Sequence, residues 1–579
     1  MAWESGYASD YRDLLLRLKD VIIGNALITR PVLSGAGDGV LHGIHTTPSS
    51  TPVETWTITC INDLVPATFS VVGSVSGAQA NATVDVQYTS TPISFMITAG
   101  SVDFEVGDAF VFDTLVNPLV AATQVWEVKR WAGTGAKVVN YLVSSVADGS
   151  GSYNGEKAVD LDSSTGWVSQ NGYATNSWWQ VEFDKPVDIR KVTLGGYTTG
   201  LFATNVKAPK DFTISYSDDG VAFTVDTTRS NEPSWMMAEV REFNLTGGAG
   251  AHKFWRINIA TVQSGTQSAL YNLKMYSLDN TTFNVAYYGD GYDAIFRGPG
   301  TASGDDIYVT VRPDAYVHNG PNWVIEGQLG YASGLDSLEQ PGYSNNTVLA
   351  TPALPPRLAL YDAPLKYWIT VSGRLITVAA RFQSICEIGQ LGFYLQYAMP
   401  EQSQYPYPLI IAGSQTMGGA ATVTKCKWDR VDAGHSLLFN PSTAPCSGLA
   451  SLDNVPSPVR IYTPYNHWKQ VANLHLGNFN AVTNKSLNTT PYQSFRRSGA
   501  TGTGVQYLGP MLNGKVPLTA ITIVDTEFAA TYGELDGLKH VPGTPLIESI
   551  ITDETDQDWV VLNNVFRVGA GDFVALRLL

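Results

Sequence analysis

Positive charge is scarce in this sequence. Its 579 residues include 36 Lys and Arg against 52 Asp and Glu, which gives a formal net charge of −16 at pH 7. General nucleic-acid binding needs Lys and Arg side chains that neutralise phosphates, and adsorption to anionic lipid has the same requirement. We therefore expect neither nucleic acid nor a lipid surface among the partners.

Long apolar runs are missing as well. The chain contains no stretch of about 18 apolar residues, so we expect no membrane insertion. Its opening, MAWESGYASDYRDLLL, has acidic residues where a secretory leader needs positive charge. The sequence therefore predicts a protein that is made in the cytoplasm without a signal peptide.

Cysteines are few, and the common catalytic motifs are absent. Cys60, Cys386, Cys426 and Cys446 are far apart and form no CxxC pair. We interpret them as buried free thiols rather than as zinc ligands or a disulfide framework. The sequence also lacks HExxH, nucleophile-elbow and P-loop motifs.

Two pairs of adjacent acids, Asp305-Asp306 and Asp553-Glu554, are candidates for glycoside hydrolysis. A glycosidase needs two carboxylates that face one substrate, whereas neighbours in a strand point to opposite faces. Neither pair suits that chemistry, so we expect that the protein is not an enzyme. Carboxylates that are distant in sequence and meet in the fold leave a route to catalysis open.

Short strand-like segments make up most of the chain. WWQVEF, DFTISYS and KYWITVSGRLITVAARF are examples, and turns are predicted at Asp218-Asp219-Gly220 and at Ser372-Gly373. The length favours three to five domains. We predict a mainly β, multidomain chain of β-sandwich and jelly-roll type with a short N-terminal α-helix. Its predicted parts are a helical docking segment (1–30), a small β-sandwich (31–128), a β-jelly roll (129–280) and a β-rich assembly region (281–579).

One amphipathic helix is predicted over residues 9–23, SDYRDLLLRLKDVII. Leu14, Leu15, Leu18, Val21 and Ile22 recur with the 3.6-residue period of a helix and form one apolar face. Ser9 or Asp10 can cap its N-terminus. The apolar face must be buried, either against the chain's own domain or in a neighbouring subunit.

The segment EKAVDLDSSTGWVS, residues 156–169, has the spacing of a calcium loop. Asp160 and Asp162 can offer carboxylates, Thr165 a hydroxyl and a carbonyl, and Lys157 its carbonyl, and calcium prefers such oxygen ligands. Trp167 is expected to enter the core and fix the end of the loop. The alternative is an ordinary solvated turn, since Asp and Ser are common turn residues.

The block around this loop is similar to a known family. NGEKAVDLDSSTGWVS, WWQVEF, FTISYSDDGVAFT, FWRINI and LYNLKMYS follow one another over about 140 residues. Together they resemble the discoidin, or F5/8 type C, family, which overlaps with family 32 carbohydrate-binding modules. The resemblance implies a β-jelly roll with a structural Ca²⁺ held by Lys157, Asp160, Asp162, Thr165 and a position near the last strand.

Two positions depart from the family pattern. Asn272 stands where the family commonly has a glutamate, so a carboxylate ligand is replaced by an amide oxygen. Leu161 stands where the family usually has glycine.

The resemblance also implies a ligand site on the loops at one end of the barrel. The candidate residues are aromatic side chains that can stack on sugar rings and amides that can reach hydroxyls. Trp178 and Trp179 begin a strand, so at least one of them is expected in the core. The candidates for sugar binding are Asn171, Tyr173, Asn176, Trp178 and Tyr197.

Two other regions resemble structural proteins of tailed bacteriophages. The first is ETWTITC…ATFSVVGSVSG…ISFMITAGSVDFEVGDAFVF near the N-terminus, and the second is the C-terminal region with DDIYVTVRP, YAMPEQSQYPYPLIIAG and NVFRVGAGDFVALRLL. The resemblance implies a virion component of the tail or baseplate. Its partners would be other virion proteins and copies of itself.

These resemblances lead to one preferred hypothesis and two alternatives. The preferred one is a tail or baseplate protein that docks to neighbouring virion subunits and displays the jelly roll for contact with host-surface glycan. The alternatives are a tail-associated enzyme that degrades polysaccharide and carries a binding module, and a decoration protein of the capsid.

Overall fold

The computed structural model describes most of the chain. The described residues are 2–47, 51–121, 126–132, 136, 138–159, 165–196, 207–236, 239–246, 250–278, 283–287, 293–299, 306–314, 322–333, 335, 337, 340–342, 344, 356–397, 408–413, 459–463, 468–470, 473–475, 479–480, 485–486, 514–525, 530–541, 545–563 and 573–578. Strands predominate within them and one α-helix lies near the N-terminus, which confirms the predicted mainly β chain. None of the helices described is long and apolar enough to cross a membrane.

The elements follow one another as three groups along the chain. The first group is β1 (Ala2–Ala8), α1 (Tyr11–Ile22), β2 (Leu27–Ile28), β3 (Val32–Ser34), β4 (Val40–Thr46), β5 (Glu54–Asn62), β6 (Thr68–Gly73), β7 (Gly77–Ala78), β8 (Ala82–Thr83), β9 (Tyr88–Thr89), β10 (Ile93–Thr98) and β11 (Ala109–Leu115). The second is β12 (Glu127–Ala132), β13 (Val138–Val143), β14 (Gly166–Val168), β15 (Ser177–Val187), β16 (Ile189–Gly195), β17 (Pro209–Ser217), β18 (Thr224–Arg229), β19 (Val240–Asn244), β20 (His252–Val262), β21 (Ala269–Leu278) and β22 (Phe283–Tyr287). The third is β23 (Asp293–Gly298), β24 (Ile307–Asp314), β25 (Asn322–Gln328), β26 (Arg357–Ala359), β27 (Leu365–Val371), β28 (Leu375–Phe382), β29 (Ile385–Phe393), β30 (Leu395–Gln396), β31 (Leu409–Ala412), β32 (Val459–Tyr462), β33 (Trp468–Gln470), β34 (Asn473–His475), β35 (Phe479–Asn480), β36 (Lys485–Ser486), β37 (Thr519–Asp525), β38 (Ala530–Val541), β39 (Ile550–Thr552), β40 (Asp558–Asn563) and β41 (Phe573–Arg577).

Three antiparallel sheets and α1 form the body, defined as the described parts of residues 2–22, 126–132 and 293–578. The strand orders are β1-β27-β28-β29-β31-β32-β33, β12-β23-β24-β25-β26 and β34-β37-β38-β41-β40-β39. Side chains from all three sheets and from α1 share one hydrophobic core. The first strand of the chain thus completes a sheet whose other strands lie more than 350 residues later, with Ala2 opposite Val371.

The predicted amphipathic helix is confirmed. Helix α1 begins at Tyr11 and ends at Ile22, whereas the prediction covered residues 9–23. Asp10 caps it, because its side chain accepts hydrogen bonds from the backbone N–H groups of Arg12 and Asp13. The five predicted apolar residues are at most 2% exposed and lie in the core of the body. The apolar face is therefore covered by the chain itself and is not open to a neighbouring subunit.

Two β-sandwiches interrupt the body. The first module, residues 27–115, packs the sheet β2-β11-β5-β6-β7 against β4-β10-β9 around an aromatic core. The chain enters and leaves this module at adjacent points, since Leu27 pairs with Leu115. The second module, residues 138–287, is inserted between β12 and β23, and Ala132 pairs with Asp293 in the register of these two strands. The second insert therefore lengthens a connection without separating the paired strands β12 and β23 of the body.

Both predicted hairpins are confirmed. Strands β17 and β18 pair across Asp218-Asp219-Gly220, and β27 and β28 pair across Ser372-Gly373. Gly220 has a φ of +72°, a backbone conformation that glycine adopts without steric cost.

Candidate functional site

The second module is a two-sheet sandwich with a tryptophan-rich core. One sheet has the order β13-β15-β20-β17-β18 and the other the order β14-β21-β16-β19, with β22 added to β21. Trp167, Trp179, Trp235 and Trp255 are at most 1% exposed and belong to one hydrophobic cluster. The prediction that Trp167 enters the core is confirmed, and its indole N–H donates to the Ser145 carbonyl at 2.9 Å.

The strand directions give this module two different ends. The connections β14–β15, β16–β17, β18–β19 and β20–β21 leave from and return to one end, the loop end, and the β13–β14 connection leaves from it. Strand β13 begins and β21 finishes at the opposite end, the attachment end, and β22 then runs back along β21 as far as Met275. The module therefore begins and ends in the half that lies away from the loop end.

Hydrogen bonds join two of the loops at the loop end. The Thr266 hydroxyl donates to the Asn171 amide oxygen at 2.7 Å, and the Gly172 N–H donates to the Thr266 carbonyl at 2.9 Å. The side-chain amide of Gln267 donates to the Ser169 carbonyl at 2.8 Å. The loop over residues 169–176 is therefore positioned by the loop over residues 263–268.

Three of the predicted sugar-binding residues lie on this first loop. Asn171, Tyr173 and Asn176 are all exposed, and the Tyr173 side chain is 48% exposed. The backbone at Tyr173 is held because its carbonyl accepts from the Ser169 hydroxyl at 2.9 Å. Asn176 adopts a φ of +55° directly before β15. Tyr197 lies outside the described residues. An exposed aromatic ring beside two amides is an arrangement that can contact a sugar.

Trp178 lies elsewhere. It begins β15 on the outer face of the five-stranded sheet, whereas Trp179 faces the core, as expected for successive residues of a strand. The guanidinium of Arg256 lies 4.4 Å from the centroid of the Trp178 ring. The sequence reasoning missed Arg256. The alternation in FWRINI was the available signal, because it puts this arginine on the face opposite to Trp255 and Ile257.

The predicted calcium ligands are only partly described. Lys157 lies in a 3₁₀ turn, Gly155–Ala158, which packs against β13, β14 and β21, and the Trp179 indole anchors this turn by donating to the Gly155 carbonyl at 2.8 Å. Thr165 directly precedes β14. Asp160 and Asp162 lie outside the described residues.

Asn272 occupies an irregular position of β21. It has a φ of +44°, and the pairing of β21 with β16 shifts register at this point. The turn that contains Lys157 contacts the same strand. Within the described residues no group of three or more His, Cys, Asp or Glu side chains is arranged so that it could hold a metal ion, but the two aspartates on which the loop depends are not among them. The calcium site stays a prediction.

A family comparison identifies the second module. Residues 142–271 match the model of the F5/8 type C domain. The chain thus contains an F5/8 type C domain, as the sequence motifs predicted. No curated protein matches the chain.

Solved structures that are similar to the chain cover about a quarter of it. They include the F5/8 type C domain of a Bacteroides fragilis protein, with 16% identity, 26% of this chain and 95% of that chain covered, and a TM-score of 0.20. A CBM32 module from a family 31 glycoside hydrolase of Clostridium perfringens has 20% identity, covers 24% and 96%, and has a TM-score of 0.20. A chitosan-binding module from Paenibacillus sp. IK-5 has 18% identity, covers 24% and 94%, and has a TM-score of 0.19.

Proposed function

We propose that the F5/8 type C domain is a glycan-binding module, and that the chain carries it as a structural component of a bacteriophage tail or baseplate. The main observation behind the proposal is that the second module has two different ends. It begins and ends in the half at the attachment end, and four loop connections leave from and return to the loop end. A module mounted in this way can contact a surface without disturbing the sheets of the body.

The loop end has the chemistry that a polar, ring-shaped ligand requires. Tyr173 offers an exposed aromatic face, and Asn171 and Asn176 flank it with amides. Aromatic faces pack on the CH groups of a sugar, while amides bond to its hydroxyls. The bonds from Thr266 and Ser169 hold this loop before a ligand arrives, which lowers the entropy cost of binding. A structural Ca²⁺ at Lys157, Asp160, Asp162, Thr165 and Asn272 would stiffen the same end, and we propose it as part of this site.

The virion assignment is supported by the resemblance of the first module and of the C-terminal strings to phage structural proteins. The proposed partners are other tail or baseplate proteins and further copies of this chain. Immunogold labelling of intact particles tests the assignment. Label at the tail tip or baseplate is expected. Label confined to the head would favour the decoration protein instead, and absence of label from the particle would refute the proposal.

We also propose that the chain binds glycan without cleaving it. Asp306 bonds to Arg297 with its Oδ2 2.7 Å from the arginine Nε, and Asp553 accepts hydrogen bonds from Thr555, Gln557 and the Trp559 indole. Burial would raise the pKa of the Asp553 carboxyl, but these hydrogen bonds hold it below its ordinary value. Such a group is a poor general acid near neutral pH. Release of reducing sugar from a host polysaccharide would favour the enzyme alternative.

A glycan array with the full chain tests sugar binding. We expect binding that falls by roughly tenfold or more in Tyr173→Ala, because stacked aromatic side chains carry much of the affinity in small sites. Tyr397→Ala is the matched control, since this tyrosine is 40% exposed but lies in the body. EDTA is expected to weaken binding if Ca²⁺ stiffens the loop end. A blank array with and without calcium would refute glycan binding.

A further inference from the structure

The outer face of the five-stranded sheet carries an arginine between two aromatic rings. The Cζ atom of Arg256 lies 4.4 Å from the centroid of the Trp178 ring and 3.7 Å from the centroid of the Phe223 ring. The three side chains come from β15, β20 and the turn before β18, and all three are half-buried. This group is called the arginine stack.

A buried glutamine fixes the arginine in this position. Gln180 is 1% exposed, and its amide oxygen accepts from Arg256 Nε at 2.9 Å and from Nη2 at 2.5 Å. The guanidinium makes no other hydrogen bond within the described residues. One edge of the group is therefore used for positioning, and the edge formed by the two terminal nitrogens is left for a ligand.

Arg256 also lacks an anionic partner. Among the described residues no carboxylate forms an ion pair with it, and its cross-strand neighbours are Gln180 and Ser215. Asn258 follows Arg256 by two residues on β20, and its side-chain amide donates to the hydroxyls of Thr213 at 3.2 Å and Ser215 at 3.1 Å. Burial alone lowers the pKa of the Arg256 guanidinium, and no acidic group offsets it. A positioned cation without a counter-charge is suited to bind an anion.

The face around the stack is open. Leu142 lies opposite Gln180 on the neighbouring strand and is 38% exposed, and Val225 lies opposite Ser215 and is 52% exposed. An extended chain can therefore lie across the sheet over the arginine stack. The stack is also distinct from Tyr173 and its loop, because it occupies strand positions on the sheet face.

We propose that this face binds an acidic saccharide, with a uronic acid carboxylate on the free edge of Arg256 and the sugar ring against the exposed parts of Trp178 and Phe223. A planar carboxylate matches the fork of a guanidinium better than it matches an ammonium. Asn258 and Thr213, which are half-buried, offer bonds to neighbouring hydroxyls. The inference goes beyond the loop-end site and does not require it.

Affinity electrophoresis of the full chain tests this site. The gels contain polygalacturonate, alginate or hyaluronan. A carboxyl-reduced polygalacturonate serves as the uncharged control polymer. We expect retardation by at least one acidic polymer and none by the reduced one. Arg256→Gln should weaken the interaction by roughly tenfold or more, since a charge-assisted hydrogen bond is lost.

Lys185→Gln is the control for net charge, because it removes one exposed cation from the same module without touching the stack. Equal loss in both variants, or no retardation by any of the three acidic polymers, would overturn the proposal. A further gel contains dextran sulfate, and retardation in that gel alone would overturn the carboxylate assignment. If Arg256→Gln does not fold, Arg256→Met is used in its place, because methionine keeps an apolar side chain between the two rings.

The two binding proposals fail separately. Tyr173→Ala should weaken array binding to neutral glycan and leave binding to acidic polymer intact, and Arg256→Gln should do the reverse.

Discussion

The two inserted modules are attached to the body in different ways. The first module meets α1 through half-buried charge, where His45 lies between two aspartates, with Nε2 2.5 Å from Asp13 and Nδ1 2.7 Å from Asp20. The second module is joined by the strand pair β12–β23, and its contact with α1 is an ion pair of 3.8 Å between Arg12 and the half-exposed Asp184. The difference indicates that the first module is built into the body, while the second is carried by it.

A buried ion pair lies beside the first junction. Arg17 bonds to both carboxylate oxygens of Glu4, and the Tyr367 hydroxyl donates to Glu4 at 2.6 Å. The Ile28 N–H, at the start of the first module, donates to the same carboxylate at 2.8 Å. Glu4 and Arg17 are each 1% exposed. One carboxylate thus ties β1, α1, β27 and the first module together.

The largest effect is expected from Glu4→Ala. It leaves Arg17 buried and without its carboxylate, which typically costs about 3–5 kcal/mol of unfolding free energy. Urea unfolding followed by circular dichroism measures this loss. Lys191→Ala, in an ion pair of the second module whose Glu242 is 60% exposed, should cost less than about 1 kcal/mol. Equal losses of unfolding free energy in the two variants would contradict the proposed difference between the first junction and the second module.

An intermediate and pH-dependent effect is expected at His45. Burial would lower the pKa of His45, but Asp13 and Asp20 raise it to about 10. Because this folded value lies above the unfolded value of about 6.5, the charged histidine stabilises the chain fully below that pH. The stabilisation is lost as the pH rises toward 10.

His45→Gln should therefore lose about 1–3 kcal/mol at pH 7, the usual cost of a missing hydrogen bond to a charged group. Its stability should also fall less than that of the unmodified chain between pH 7 and pH 10. Melting temperatures across this range provide the test. His252→Gln, which removes a histidine from the second module, is the matched control, and an equal change of the pH profile there would assign the effect to another group.

The smallest effect is expected at the second junction. Asp184→Asn removes the charge that faces Arg12, but the pair is long and Asp184 is 40% exposed. Exposed pairs of this kind contribute about 0–1 kcal/mol. A change in the melting temperature of more than a few degrees would show that the second module is fixed more firmly than its described contacts indicate.

Local pattern was enough to predict the elements of this protein. The apolar period of residues 14–22 predicted α1, and turn residues predicted both hairpins, because these structures depend on neighbours within a few positions. The motif order around Trp167 predicted the jelly roll and the burial of that side chain. The loop position of Asn171 and Tyr173 was implied by the resemblance to the F5/8 type C family.

Only the tertiary structure decided how these elements meet. Nothing in AWESGYA specifies that it pairs with residues 365–371, because strand partners distant in sequence are selected by burial on a shared core. The same holds for Trp178. Its sequence neighbours placed it beside a loop, but the register of β15 against β20 puts it on the sheet face with Arg256. The sequence by itself determined strands, turns and the F5/8 type C signature. The fold decided which side chains share a face, because a strand's register, and with it every cross-strand neighbour, is set by packing across the whole module.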